Sequence, residues 1–363
     1  MVVGAFTVET DLAVIGAGPA GIAAALRART HGRSVSLIDH RPHPGGSLLD
    51  FRVRGDLLAD PPVSPDALAR SCEDAAAKHA APIRARLDEA GAAYVCGAAR
   101  FESARDLAIS DNTAVPRLHF RRAIIAAGTP GAPSLTQLCE AAQSGRPLRL
   151  PAGVPGAVEA AVLLAAAGVR DVTLTGTLAA PAACRENLAS ELRACGITLC
   201  DDDDRAAAAT APAYDAARAG VHVRGDGAID RVDGVRTNEP RVLAAGAVSG
   251  AGHDLRRAIL EGRAAGDIAS AAPSSLILPS CMVTMLRAPS PLFWCGDDES
   301  GADLITAQPD VARDLLIFCE REGGLVRGAR TSRADGGGFI DRIAAAIEMG
   351  AVLDDLDVLL ADW

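Results

Sequence analysis

The stretch from Asp11 to Asp39 restricts this chain more than any other. Asp11-Leu12-Ala13-Val14-Ile15 is a short apolar run that reads as a buried strand, and Gly16-Ala17-Gly18-Pro19-Ala20-Gly21 follows it directly. Behind the glycines, Ile22-Ala23-Ala24-Ala25-Leu26-Arg27-Ala28 favours a helix, and Ser34-Val35-Ser36-Leu37-Ile38-Asp39 is a second strand closing on a carboxylate. Strand, GxGxxG turn, helix and strand in this order predict a dinucleotide-binding βαβ unit. Gly16 permits the tight turn, Gly18 lets backbone amides approach a pyrophosphate, and Gly21 lets the helix pack on the sheet. Asp39 lies eighteen residues past Gly21, near the spacing at which an acid meets adenosine ribose hydroxyls and disfavours a 2'-phosphate.

Such a unit accounts for a small part of 363 residues, a length that suits two or three domains. With 49% hydrophobic and 23% charged residues the chain carries enough apolar surface to offset ordering entropy, which argues against intrinsic disorder. A net charge of -10 opposes a nucleic-acid backbone, and no local basic patch counters it. The sole lysine, Lys78, sits in the alanine-rich segment 74–81, which argues against both a Walker-type loop and a Schiff-base lysine. Aromatic residues make up 3%, so the core is expected to rest on Ala, Val, Leu and Ile. The nine cysteines, the absence of a basic leader and the lack of an apolar run of membrane-spanning length lead to the expectation of a cytoplasmic chain without a membrane span.

Later segments extend the reading. GAGPAG, the acidic strand end and the following Pro44-Gly45-Gly46-Ser47-Leu48-Leu49 together resemble the two-dinucleotide-domain flavoprotein reductases, related to the pyridine nucleotide-disulfide reductases. The likeness extends to the α subunits of heteromeric sarcosine and opine oxidases and to ferredoxin-reductase-like flavoproteins. The resemblance implies FAD in the first site, with NAD as the alternative there and NAD(P)H as a possible co-substrate. It places Gly45, Gly46 and Ser47 along the cofactor, with Gly16, Gly18, Pro19, Ala20, Gly21 and Asp39 on its adenosine side. Arg121–Gly131 resembles the family's strand that returns to the second domain, adding Ala127 and Gly128. Glu239–Val248 resembles its last FAD-binding strand, adding Gly246 and Ala247. Most relatives have an aspartate where this chain has Ala247, so one expected hydrogen bond to the cofactor is missing.

A helical pattern resumes after His253 and Asp254. The resemblance aims that helix at the flavin edge and makes these two residues the catalytic candidates. Asp254 as a simple helix cap and His253 as a loop residue stay open beside that reading. From Pro147 to Leu199 a second mononucleotide pattern recurs, but its turn keeps Gly153 and Gly156 without a GxG pair, and no acid closes the next strand. It reads either as a second NAD(P) site or as a retained scaffold. Four aspartates at 201–204 lack EF-hand spacing, and no metal is expected there or at His40 and His43.

From about Ser274 onward, strands followed by a helix predict a small α+β domain, similar to the C-terminal wall or dimer domain of the resembling flavoproteins. Phe293 and Trp294 are read there either as core or as a face towards flavin or partner, with low exposure in both cases. The cysteines show no CxxC, and only Cys195 and Cys200 have Cx4C spacing, so a redox disulfide beside a flavin and an iron-sulfur cluster are not expected.

The expected architecture is therefore α/β, with two Rossmann-like domains, the first split by the second, and a C-terminal α+β cap. The boundaries are 1–130 with 239–273, then 131–238, then 274–363. Two functions remain open: a FAD-dependent oxidoreductase passing hydride or electrons between a nicotinamide cofactor or small amine-type substrate and a partner acceptor, and a non-catalytic subunit that holds NAD or FAD. Partners follow from these: a small-molecule substrate or redox protein, in a homodimer or hetero-oligomer.

Overall fold

The computed structural model describes residues 7–128, 135–145, 147–154, 156–201, 214–250, 255–278, 281, 283–297, 303–307 and 314–356. The chain divides into two compact units. The first combines 1–53, 72–135 and 205–278, and the second 54–71, 136–204 and 279–363.

The first unit is built on a seven-stranded sheet. Its strands are β1 (Thr7–Ile15), β2 (Val35–Asp39), β3 (Ala93–Cys96), β4 (Ala98–Phe101), β5 (Asp106–Ser110) and β6 (Arg117–Ile125), joined by β10 (Val242–Ala244), which follows three strands of the second unit in the chain. The order is β3-β2-β1-β6-β5-β4, with β10 paired to β6. Strands β3, β2, β1, β6 and β10 run parallel, whereas β4 and β5 add an antiparallel edge.

Alternation along β1 separates two cores. Leu12 and Val14 face α1 (Pro19–Thr30) with its buried Ala24, Ala25 and Ala28, while Ala13 and Ile15 face Phe101, Leu118 and Phe120. The two phenylalanines meet edge to face with centroids 6.0 Å apart. Small alanines carry the helix side, as the aromatic poverty led one to expect. Helix α7 (Leu255–Ala269) lies along α1, with Gly262 against the Ala20 carbonyl and Gly266 so close that a Cβ would stand 2.7 Å from the Ala24 oxygen. Helices α2 (Gly46–Ala59), α3 (Pro65–Glu89) and α4 (Leu135–Gln143) each span a boundary between the units.

Asp267 ties the far ends of α1 and α7 together. It accepts Arg27 Nε at 2.6 Å and lies 2.7 Å from His31 Nε2. Burial alone would raise its carboxyl, but the bonds from Arg27 and His31 hold it below the usual 3.8. Its stabilising contribution is therefore complete above pH 3.8 and is lost as pH falls through the lowered folded value. Asp267→Asn is expected to cost about 1 kcal/mol at neutral pH in urea unfolding, a difference that shrinks below about pH 4.

The second unit holds two sheets. Strands β7 (Leu148–Pro151), β8 (Val172–Thr175) and β9 (Thr198–Cys200) form a parallel sheet with α5 (Ala157–Ala166) and α6 (Arg185–Ala194) as its crossovers. The C-terminal sheet is antiparallel in the order β11-β12-β15-β14-β13, from β11 (Val283–Leu286), β12 (Leu292–Gly296), β13 (Leu304–Ala307), β14 (Leu315–Glu320) and β15 (Val326–Thr331). Helix α8 (Gly337–Glu348) covers one face through Ile340, Ile343 and Ala344, packed on Phe293, Cys295, Leu315 and Ile317.

The pair Phe293 and Trp294 does not act together. Neighbouring strand residues point to opposite faces, so Phe293 is buried under α8 and Trp294 is half-buried on the other side, opposite Arg330. None of the nine cysteines forms a disulfide, and Cys281, just before β11, meets Cys295 of β12 in this core. The Cys281 and Cys295 sulfurs share a hydrogen bond, which holds the Cys281 thiol below its usual range and, with burial, pushes that of Cys295 up.

Candidate functional site

The glycine turn after β1 sits at the carboxyl ends of the parallel strands. Gly16 has φ +102° and rests on the end of β6, where a Cβ would stand 2.6 Å from the Ala126 carbonyl carbon. Only glycine fits both demands. Gly18 is different: it caps α1 with an ordinary extended backbone, φ -77° and ψ -176°, and nothing lies within 4 Å of the position a Cβ would take. The one glycine of this turn with open space in front of it is thus the one the sequence assigns to pyrophosphate approach.

The following Gly-Gly turn is laced to this loop. Gly45 donates its N–H to the Ala17 carbonyl at 2.8 Å, and Gly46, at φ +54°, approaches until a Cβ would meet Gly18 Cα at 2.7 Å. Asp39 closes β2 and fixes the loop with both oxygens: Oδ2 accepts the Ala17 N–H at 2.6 Å and Oδ1 the Arg41 N–H at 3.0 Å. A carboxylate has about four acceptor sites, so capacity remains for ribose hydroxyls. Arg41, the nearest cation in sequence, is held by both oxygens of Asp50 at 3.0 Å each. Tyr94 on β3 donates to the Arg41 carbonyl at 2.7 Å; burial first, then the Asp39 charge, keeps its phenol protonated. His40 and His43 reach Asp39 at 3.3 Å and Glu73 at 3.1 Å, as a polar loop pair does.

The other candidate residues gather around the same strand ends. Ala127 and Gly128 leave β6 at the surface of the unit, Gly128 at φ +80° with open space before it, and Ser47 is exposed in the first turn of α2. Gly246 begins a short 3-10 turn after β10, where a Cβ would stand 2.9 Å from Ala20 Cβ and 3.8 Å from Ala258 Cβ. It therefore lies between the first turns of α1 and α7. Pro19 occupies the first turn of α1, and Ala247 is half-buried beside Gly246. His253 and Asp254 lie outside the described residues, as does the aspartate tract beyond Asp201.

Helices α1 and α7 pack in parallel with Ala20 against Gly262 and Ala24 against Gly266, so the N-terminus of α1 lies beside the middle of α7, and neither helix has an acid in its first turn. Amides, the positive end of α1 and an unobstructed Gly18 make an anion site suited to a diphosphate. Among the described residues no group of three or more His, Cys, Asp or Glu is placed to hold a metal, and no helix is long and apolar enough to cross a membrane.

Sequence reasoning missed Glu261. This residue of α7 is fully buried and accepts the Gly246 N–H at 2.7 Å, with Arg257 Nε at 3.0 Å on its other oxygen. The i, i+4 pair Arg257 and Glu261 was visible as a helical charge pair, but its bond to Gly246 depends on how α7 packs.

The second mononucleotide pattern is built differently. Gly156 caps α5 at φ +81°, and the Arg54 guanidinium rests directly on it. Glu159, buried in the first turn of α5, accepts Arg54 Nε at 3.0 Å and the Arg287 N–H at 3.0 Å. Strand β8 ends at Thr175 and Gly176, without a carboxylate for ribose.

Comparison with known proteins agrees with this geometry. Residues 14–65 match the family model described as an NAD(P)-binding Rossmann-like domain. Across 94% of both chains the structure superposes on an HOCl-induced flavoprotein disulfide reductase, RclA, from Escherichia coli, with a TM-score of 0.72 at 17% identity. A Cu(II) complex of that protein matches with a TM-score of 0.71 at 16% identity, over 95% of this chain and 94% of that one. The fold is that of a flavoprotein disulfide reductase. At such identity the likeness concerns the fold alone.

Higher sequence identity is confined to a short stretch. Over 41 residues the chain is 56% identical to the alpha subunit of sarcosine oxidase from Corynebacterium sp. (strain U-96), covering 11% of this chain and 4% of that protein. Over 38 residues it is 55% identical to an opine oxidase subunit from Agrobacterium tumefaciens (strain Ach5), covering 10% of this chain and 8% of that one. The chain thus spans less than a tenth of the curated relatives it matches.

Proposed function

We propose that this chain is a FAD-dependent oxidoreductase, passing hydride or electrons between a nicotinamide cofactor or small amine-type substrate and a partner acceptor. The observation that carries the reading is the open Gly18 face at the N-terminus of α1, whose first turn holds no acid. That arrangement fits a dinucleotide diphosphate. In this reading Gly18, Ala20 and Gly21 present amides to the diphosphate, Gly16 makes the turn with its own N–H held by the Ile38 carbonyl, Pro19, which has no N–H, opens α1, and Asp39 accepts the ribose hydroxyls. Gly45, Gly46, Ser47, Ala127, Gly128, Gly246 and Ala247 line the remaining length. His253 and Asp254, which immediately precede α7 in the sequence, are the catalytic candidates of this reading. When bound, FAD supplies the hydride chemistry, and the protein supplies orientation and a positive field.

The sequence-derived boundaries, 1–130 with 239–273, 131–238 and 274–363, belong to this reading. So do a cytoplasmic location, in keeping with nine cysteines outside any disulfide, and a homodimeric or hetero-oligomeric state.

A second reading has its own support. Arg54 on Gly156, the missing acid after β8 and Ala247 in place of an aspartate favour a non-catalytic subunit that holds NAD or FAD for a partner. One experiment separates the two. The purified chain is scanned in the visible range, released nucleotide is identified by mass, and the protein is titrated anaerobically with NADH and NADPH. Yellow protein bleached by reduced nicotinamide is the expected result. Colourless protein that releases NAD would overturn the flavoenzyme reading.

A further inference from the structure

Glu261 poses a physical question. A carboxylate with no solvent access sits on α7 at the level of the first turn of α1, whose positive end suits an anionic ligand, so its own charge works against that ligand. Stability alone does not account for it, because buried ion pairs are often replaceable by apolar groups without loss.

Its bonds suggest a role. Oε2 accepts the Gly246 N–H at 2.7 Å, whereas Oε1 takes Arg257 Nε at 3.0 Å and lies 3.0 Å from Arg231 Nη1. Arg231 Nη1 is shielded from water and has no aligned hydrogen-bond acceptor among the described residues, so it acts on Glu261 through charge. Two guanidinium groups outnumber one carboxylate, which leaves the cluster net positive. The preceding amides of the strand end, Ala244 and Ala245, are held by the Val235 and Ile125 carbonyls. The Gly246 amide is the first to leave this ladder, and Glu261 is what receives it.

Building on the dinucleotide reading above, we infer that Glu261 is a positioning residue for the bound dinucleotide, fixing the Gly246 peptide where the chain turns between the first turns of α1 and α7. The arginines hold the carboxylate in place, and their surplus charge offsets its repulsion of the ligand.

Two substitutions in the full chain separate positioning from simple charge balance. Glu261→Asp keeps the charge for the arginines but falls a methylene short of Gly246. Glu261→Gln keeps an acceptor within reach of Gly246 but drops the charge. Nucleotide-stripped wild type and both variants are titrated with FAD and with NAD, and their apo melting temperatures are recorded. Positioning predicts that the aspartate variant binds about tenfold more weakly than wild type, from loss of one charge-assisted bond, while the glutamine variant stays within about threefold. The glutamine variant nonetheless melts lowest, because its arginines lose their counter-ion. Glutamine binding as weakly as aspartate or more so, or aspartate binding like wild type, overturns the inference. Wild-type protein that takes up neither nucleotide overturns the dinucleotide reading itself, and this inference with it.

Discussion

Gly18→Val is expected to abolish nucleotide retention while leaving the apo fold intact. Gly18 has an extended backbone that any residue adopts, and no atom beyond its chain neighbours lies within 4 Å of its would-be Cβ. Valine therefore meets no clash in the empty protein, and the stability change should stay within about 0.5 kcal/mol. The same open space is where the diphosphate approaches. Branched methyls there hold it off the α1 amides and break several charge-assisted bonds at once, so affinity should fall on the order of a hundredfold or more. Equilibrium dialysis with FAD and NAD, beside a melting curve of the apo protein, checks both halves. Unchanged retention would place the nucleotide elsewhere.

Glu159→Ala is expected to have the largest effect on stability. Glu159 is buried in the first turn of α5, where its charge suits the helix end, and it holds Arg54 and the Arg287 amide. Arg54 keeps only 11% of its side-chain exposure, so removing its partner strands a nearly buried cation. Breaking a buried pair in this way costs about 3–5 kcal/mol. Guanidinium unfolding should show a lowered midpoint, and Arg54→Leu combined with Glu159→Leu should recover much of the loss, since the apolar pair strands no charge. A single-variant loss below about 1 kcal/mol would mean that water reaches the pair.

The first nucleotide fold was legible because its determinants are close together along the chain. Strand runs, three glycines and Asp39 fall within one local unit, and each acts through its own backbone or a neighbour's. The Gly-Gly turn was legible for the same reason, although its contact with Gly18 was not. Elsewhere local pattern gave the elements but not their partners. Phe293 and Trp294 looked like one aromatic pair until strand alternation sent them to opposite faces. Cys281 and Cys295 carry no recognisable spacing, because packing in the core under α8 rather than sequence distance brings them together. Arg54 and Glu159 are separated by 105 positions, and nothing in either segment announces the other.

By itself, the sequence determined that this chain holds a strand, glycine turn, helix and acidic strand able to receive a diphosphate, since backbone geometry and residue size act locally there. Tertiary structure decided which groups complete the site. Glu261 reaches Gly246 only because α7 packs parallel to α1, and Arg54 covers Gly156 only because distant segments fold into one unit. The difference is physical: steric and conformational preferences are carried by each residue, whereas the compensation of a buried charge depends on whichever groups the fold brings within reach.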